Sequence, residues 1–184
     1  MDRKRFLKTS AIGIGTLALA PVGVANTKMF TPQADGGSNS TEPKIVRKDQ
    51  GKSQIVLGDH QQLKLSGKDT DGLYTLIEQY NDPGMEIPMH VHQDEDEVFH
   101  VLSGSLEVKI GKETKVLKAG DLGFCPKGIP HSWKVVGSEK ARVMLSIFPA
   151  GLELMFDELA QLPAGPPDME KLAAICANYN IQFV

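Results

Sequence analysis

Short stretches of alternating apolar and polar residues follow one another over residues 45–148. Side chains on an extended strand point alternately to its two faces, so this alternation predicts half-buried strands. Turns rich in Gly, Pro, Asn and Asp separate the stretches. Short strands at such regular spacing favour an all-β sandwich or barrel. Apart from a strand through residues 90–92, the predicted strands are 54–57, 62–65, 73–80, 97–102, 106–110, 114–117, 121–125, 131–136 and 142–148.

The turns between these strands carry the expected residue types. Gly58-Asp59 is predicted to form a turn that ends the first strand, with His60 solvated in that turn. Residues 103–105 and 110–112 are predicted to form hairpin turns, since each contains a glycine between two alternating stretches.

The pattern changes near residue 151. Residues 152–160 and 168–177 place apolar side chains at helical spacing, a proline-rich breaker separates them, and Asp168 is a suitable N-cap. We predict two short C-terminal α-helices within residues 151–180, packed outside the barrel or over one of its open ends.

The first 25 residues are predicted to be a signal peptide. A basic start is followed by a short apolar run at residues 11–20 and small residues near Ala25, where cleavage would occur. Arg3-Lys4-Arg5-Phe6-Leu7 resembles a twin-arginine signal with Lys4 in place of the second arginine, so the general secretory route is the alternative. A retained membrane anchor is a third interpretation. Residues 26–44 are predicted to form a flexible linker, and residues 45–184 the folded domain, exported by a bacterium to the periplasm or beyond.

The charge of the chain bears on its possible partners, and its two cysteines bear on whether it contains a disulfide. The chain has a formal net charge of −3 and no basic stripe, which argues against a nucleic-acid partner. Without the leader, nothing predicts a membrane association. Cys125 and Cys176 are the only cysteines. They are predicted to be two buried free thiols, with a disulfide as the alternative in an exported protein.

Residues 84–104 hold the candidate chemistry. His90 and His92 are two residues apart, so on a strand both imidazoles point to one face. The acidic run 93–96 is predicted to be a solvated turn, after which Glu97 begins a second strand. If that strand pairs back on the first, Glu97 lies beside the imidazoles, and His131 would complete the set. Three histidines and a carboxylate suit one divalent first-row transition metal ion, namely Fe, Mn, Ni, Cu, Co or Zn.

Two spaced motifs resemble those of the cupin family. The first, G-x5-H-x-H-x4-E-x6-G, runs from Gly84 to Gly104, and the second, G-x5-P-x-G-x2-H, runs from Gly120 to His131. The family usually continues the second motif with Asn after three further residues, where this chain has Val135. The resemblance implies a double-stranded β-helix (jelly-roll) barrel, with residues 73–149 as the core metal-site region and His90, His92, Glu97 and His131 as the metal ligands. It also implies a homodimer formed through barrel edges.

Strand parity predicts the surroundings of the metal. Counting by twos from Glu97 and from His131 gives an apolar lining of Phe99, Val101, Trp133 and Val135, with ordinary barrel core as the alternative role. His100 has the opposite parity and is predicted to face outwards.

The motifs and the C-terminal ending resemble those of small quercetin-dioxygenase-like cupins, which implies ring-opening dioxygenation of a flavonol or another small chelating substrate. Glu97 would then act both as a ligand and as the catalytic base. A non-catalytic periplasmic binder of metal or a small ligand, and a cupin isomerase or lyase, are the alternatives.

Overall fold

The computed structural model describes residues 42–163 and 168–184. The predicted signal peptide at residues 1–25 and all but the last residues of the predicted linker lie outside this part of the chain. Export and the choice of export route therefore stay predictions. No helix among the described residues is long and apolar enough to cross a membrane.

The described residues form eleven strands and three short helices. The strands are β1 (Lys52–Val56), β2 (Asp59–Leu65), β3 (Thr75–Asn81), β4 (Glu86–His92), β5 (Asp96–Ser103), β6 (Ser105–Ile110), β7 (Glu113–Lys118), β8 (Leu122–Cys125), β9 (His131–Val135), β10 (Ala141–Phe148) and β11 (Ile181–Phe183). The helices are α1 (Gly67–Thr70), α2 (Leu152–Leu159) and α3 (Met169–Ala177).

Two antiparallel sheets face each other. One has the strand order β1-β2-β3-β10-β5-β8, and the other has the order β11-β4-β9-β6-β7. Alternate residues of each strand point into the space between the sheets, where Phe99, Val101, Trp133 and Val135 are at most 5% exposed. This is the predicted all-β jelly-roll barrel with two short C-terminal helices.

The predicted hairpin at residues 103–105 is wrong, and the pairing considered between the strands of His92 and Glu97 does not form. β4 pairs with β9 and β11, whereas β5 pairs with β10 and β8, so the turn after His92 crosses from one sheet to the other instead of closing a hairpin. Residues 103–105 likewise connect β5 to β6 in the opposite sheet. Gly104 suits this crossing because its φ is +73° and a Cβ there would lie 2.5 Å from the carbonyl oxygen of Lys140. The predicted turn at residues 110–112 does form a hairpin, between β6 and β7.

The first hairpin also differs from the prediction. Leu57 and Gly58 have φ angles of +53° and +90°, so these two residues make the turn, and β2 begins at Asp59. His60 therefore lies on a strand and not in the predicted turn. Its side chain is exposed, as predicted. Asp59 is only 2% exposed and points into the barrel. Aspartate is a common turn residue, which is why the sequence pattern placed it in the turn.

The C-terminal helices cover one end of the barrel. Both lie within a residue of their predicted bounds, and Asp168 caps α3 by accepting hydrogen bonds from the amides of Glu170 and Lys171, each at 3.1 Å. Sequence reasoning missed β11, because three residues are too few to show alternation. It also missed the single turn α1.

Candidate metal centre

The four predicted ligands come together from three strands. His90 and His92 lie at the end of β4, and His131 begins β9, where it is the direct cross-strand neighbour of His90. Glu97 belongs to β5 in the other sheet and faces the histidines across the barrel interior. The centre therefore joins the two sheets, and Glu97 reaches it although β5 does not pair back on β4.

The four side chains lie close enough to share one ion. One ligand atom from each of His90, His92, Glu97 and His131 lies within 4.8 Å of the others, and all four residues are buried. Nε2 of His131 is 3.0 Å and Nε2 of His92 is 3.9 Å from the carboxylate oxygens of Glu97. Two ligand atoms about 2.1 Å from one ion and at right angles to each other would be about 3.0 Å apart. The donor set thus fits a first-row divalent ion.

The backbone fixes two of the imidazoles. Nδ1 of His90 is 2.8 Å from the carbonyl oxygen of Pro88, and Nδ1 of His131 is 3.2 Å from that of Ile129. A carbonyl can only accept, so Nδ1 must carry the proton in both rings. When the ring is neutral and binds a metal ion, the lone pair of each Nε2 is then directed at the shared centre, as a metal ligand requires.

Glu95 supports the third imidazole. The prediction that residues 93–96 are a solvated turn is wrong for Glu95, which is 9% exposed with its Oε2 3.6 Å from Nδ1 of His92. Neither atom has a hydrogen-bond partner within the described part of the chain. A carboxylate behind a ligand histidine orients the ring and makes it a stronger donor. Sequence reasoning missed this role because an acidic run between strands usually lies in solvent.

Burial and charge favour the protonation states that bind metal. Burial, and then repulsion by His131, lower the pKa of His90 to about 4, so this ring is neutral at pH 7. Burial alone would raise the pKa of Glu97, but charge at His92 and the hydrogen bond with His131 outweigh it and lower the pKa to about 2. Burial opposes a charge on His92, yet Glu97 and Glu95 outweigh that effect and raise its pKa. Metal binding must therefore compete with proton binding at His92.

Cys125 does not join this donor set. It is the cross-strand neighbour of Glu97 on β8 and is fully buried. Burial, with a further contribution from the charge of Glu97, raises the pKa of its thiol to about 12, so it stays protonated. Cys176 is buried on α3, and both cysteines are free, as predicted.

A small cavity adjoins the ligands. It has a volume of about 60 Å³, and His90, His92 and Glu97 line one part of it. Trp133 is the one predicted lining residue that reaches this cavity. Phe99, Val101 and Val135 are buried in the barrel core, with the ring of Phe99 edge-on to His131 at 6.3 Å between centroids.

At Val135 the second motif departs from the family pattern, and both backbone groups of this residue are hydrogen-bonded. The amide of Val135 donates to the carbonyl of Met85, and its own carbonyl accepts from the amide of Gly84. The backbone therefore closes the end of β9 without an asparagine side chain.

The C-terminus and the early strands add wall residues that the sequence did not reveal. Phe183 on β11 pairs with His90, and their ring centroids are 6.0 Å apart. Met155, Phe156 and Leu159 of α2 close the cavity. Its polar wall is formed by Asp59, Gln61 and Gln79 of β2 and β3.

Comparison with known proteins agrees with the fold. Residues 78–148 match the cupin domain family, and this span includes all four candidate ligands. The structure of KdgF from Halomonas sp. is similar with a TM-score of 0.55 at 18% identity, covering 61% of this chain and 99% of that protein. At that identity the likeness shows the fold alone.

Two curated proteins are similar over part of their length. Quercetin 2,3-dioxygenase from Bacillus subtilis (strain 168) is 29% identical over 93 residues, which is 50% of this chain and 28% of that protein. The polyketide synthase CurC from Streptomyces cyaneus is 34% identical over 67 residues, which is 36% of this chain and 44% of that protein. The chain thus spans less than half the length of either relative.

Proposed function

We propose that this cupin-domain protein is a metal-dependent dioxygenase that acts on a flavonol-like or other small chelating organic substrate. The observation that carries the proposal is the buried set of three histidines and one glutamate, whose ligand atoms lie within 4.8 Å of one another. The likeness to a quercetin dioxygenase over half of this chain supports the reaction class.

His90, His92, Glu97 and His131 would hold the metal ion. When bound, such an ion provides a Lewis acid for a chelating oxygen pair and, if it is redox-active, a centre for reaction with oxygen. Four protein donors leave positions open on an ion that prefers five or six ligands, and an open position distinguishes a reactive site from a structural one.

The protein itself would contribute orientation, proton transfer and exclusion of water. The carbonyls of Pro88 and Ile129 and the carboxylate of Glu95 hold the imidazoles in place. Glu97 is the carboxylate among the ligands that line the cavity, and we propose that it takes the proton from the substrate hydroxyl as the substrate chelates. Trp133 and the other apolar wall residues keep bulk water away from the reacting oxygens.

The size of the cavity constrains how a substrate enters. A volume of about 60 Å³ holds only a few water molecules. Because Met155, Phe156 and Leu159 of α2 form part of the wall, we expect α2 to move outwards when an aromatic substrate binds.

The narrow cavity also supports a second candidate, a non-catalytic binder of metal or of a small ligand. Oxygen consumption separates the two. The metal-loaded protein, supplied with 3-hydroxyflavone and hydroxylated flavonols, should take up one oxygen molecule per substrate consumed. Metal binding without oxygen uptake would contradict the dioxygenase and favour a binder, or an isomerase or lyase that uses the same ligands. The exposed-histidine variant His100→Ala is the matched control and should keep full activity.

We also propose that the protein acts as an exported homodimer. Residues 1–25 support export, and the family resemblance supports the dimer. Cell fractionation with and without residues 1–25 tests the location, and analytical ultracentrifugation of the mature chain tests the oligomeric state.

A further inference from the structure

Three polar side chains interrupt the apolar wall of the metal cavity. Asp59 and Gln61 lie on β2 and Gln79 lies on β3, and they are 2%, 5% and 4% exposed. They face the same cavity as His90, His92 and Glu97. We call these three residues the distal cluster.

The distal cluster holds an acidic group without a cation. One oxygen of Asp59 accepts hydrogen bonds from Nε2 of Gln61 at 2.8 Å and Nε2 of Gln79 at 2.7 Å, and the other accepts from Nδ2 of Asn81 at 2.5 Å. None of the ion pairs formed by residues 42–163 and 168–184 includes Asp59. Burial raises the pKa of this carboxyl group.

Such a group is costly if it only joins two strands. Burying a carboxyl group among neutral amides loses hydration that those amides replace only in part, whereas apolar side chains in place of this carboxyl group and all of its amide partners would carry no such cost. Each carboxylate oxygen can accept two hydrogen bonds, and one of the two oxygens of Asp59 accepts only one from the described residues. The distal cluster therefore retains capacity to bind a donor within the cavity.

The register of the sheet separates the distal cluster from the metal ligands. Glu97 pairs with Ile147 of β10, and Gln79 pairs with Val143 of the same strand. These partners are four residues apart, which is about 13 Å along a strand at about 3.3 Å per residue. β10 lies between β3 and β5, so Gln79 and Glu97 are also about 10 Å apart across the strands. A ligand that touches both groups must be elongated.

We infer that Asp59, Gln61 and Gln79 bind the far end of the substrate, and that the substrate is an elongated molecule with a metal-chelating hydroxy-ketone at one end and a hydroxyl group at the other. This inference rests on the proposed metal site and specifies its substrate class. The distal hydroxyl donates to the free acceptor position of Asp59, and the apolar wall between the two ends contacts the body of the molecule. Asp59 is then a specificity-determining residue.

Matched pairs of chelators test the inference under anaerobic conditions, where binding is measured without turnover. The long pair is 3-hydroxyflavone and 3,4′-dihydroxyflavone. The short pair is allomaltol (5-hydroxy-2-methyl-4-pyrone) and kojic acid, which carries a hydroxyl on that same methyl group. Members of the long pair share one chelating group, so the ratio of their dissociation constants for the cobalt(II)-loaded protein reports the distal hydroxyl alone. A hydrogen bond to a carboxylate predicts about tenfold tighter binding of the hydroxylated long probe. The short pair, which cannot span the cavity, should show a ratio near one.

Substitutions connect that ratio to the distal cluster. Asp59→Asn should bring the tenfold ratio of the long pair to below about twofold, with metal stoichiometry and the affinity for 3-hydroxyflavone unchanged. Gln79→Met is the second variant, in case Asp59→Asn folds poorly, and it should reduce the ratio as well. Gln182→Met is the matched control, since Gln182 is exposed on β11 and does not line the cavity. A purely structural role for Asp59 would lower stability but leave the ratio intact.

The outcomes separate this inference from the proposed function. Discrimination by the distal cluster without oxygen uptake would support the inference and contradict the dioxygenase. Oxygen uptake with equal affinity for both long probes, or a ratio that survives both substitutions, would overturn the inference and leave the dioxygenase standing. Loss of metal binding altogether would overturn both.

Discussion

Each end of the cavity buries one acidic side chain, and the pKa values of these two side chains shift in opposite directions. Glu97 is 3% exposed and Asp59 is 2% exposed. The pKa of Glu97 falls to about 2, whereas that of Asp59 rises. Glu97 faces three imidazoles, while Asp59 accepts its hydrogen bonds from amide groups. Both side chains are buried to the same extent, so the neighbouring groups, rather than burial, determine which end of the cavity can bind a cation.

The first test removes the cation-binding end. His131→Ala and Glu97→Ala should each weaken metal affinity by more than the 10- to 100-fold that loss of an outer partner costs, because a ligand atom itself is lost. Circular dichroism should still show a folded barrel. Isothermal titration with cobalt(II) measures the affinity.

His100→Ala is the control for these variants. His100 is on the same strand as Glu97 but is exposed, so its loss should leave metal stoichiometry unchanged. Full stoichiometry in His131→Ala or Glu97→Ala would show that the ligand assignment is wrong.

The second test compares the two carboxyl groups directly, in metal-free protein. The folded pKa of Glu97 is below its usual 4.5, so its contribution to stability is present above pH 4.5 and lost as the pH falls towards about 2. Lowering from 4.5 to about 2 corresponds to about 3 kcal/mol. The folded pKa of Asp59 is above its usual 3.8, so its contribution is present below pH 3.8 and lost as the pH rises through the folded value.

Urea unfolding between pH 7 and pH 3 measures these opposite slopes. On acidification, the wild type should lose stability relative to Glu97→Gln and gain stability relative to Asp59→Asn. If the stability differences changed with pH in the same direction for both variants, this would refute the view that the neighbours, rather than burial, determine the opposite pKa shifts of the two carboxyl groups.

The third test concerns the support of the imidazoles. Glu95→Gln should reduce metal affinity by about 10- to 100-fold, since a neutral amide polarises His92 less than a carboxylate does. Asp94→Asn makes the same charge change one residue earlier, on an exposed side chain bonded to Asn180, and should have no such effect. Equal effects of the two changes would mean that only net charge matters.

The smallest effect is expected at the cysteines. Cys125→Ala should leave metal stoichiometry unchanged, because the protonated thiol is not a ligand. A thiol reagent should find two free thiols in the unfolded chain and react slowly with the folded one, in which both are buried. Finding no free thiol after unfolding would indicate a disulfide.

The two ends of the cavity also differ in how well the sequence predicted them. His90, His92 and His131 lie at fixed spacings, and imidazoles have few other reasons to alternate on a strand, so the candidate ligands could be named from the sequence. The strand arrangement that brings the ligands together could not be predicted, because the turn after His92 has the residue types of a hairpin and yet crosses between sheets. The pairing of β4 with β9, and of β5 with β10 and β8, reveals this.

The distal cluster left no comparable signal. Asp59 follows a glycine and has the composition of a turn, and the glutamines of β2 and β3 are compatible with either face of a strand. The inward orientation of Asp59 and Gln61 depends on a turn made by Leu57 and Gly58, one residue earlier than expected. A shift of one residue in register exchanges the two faces of a strand, which is why local patterns could not place these residues.

Metal content of the purified mature protein tests the central claim most directly. We predict one first-row transition metal ion per chain by elemental analysis, either as isolated or after reconstitution at neutral pH. A chain that stays metal-free after reconstitution would contradict the account, and the four converging side chains would then need another explanation.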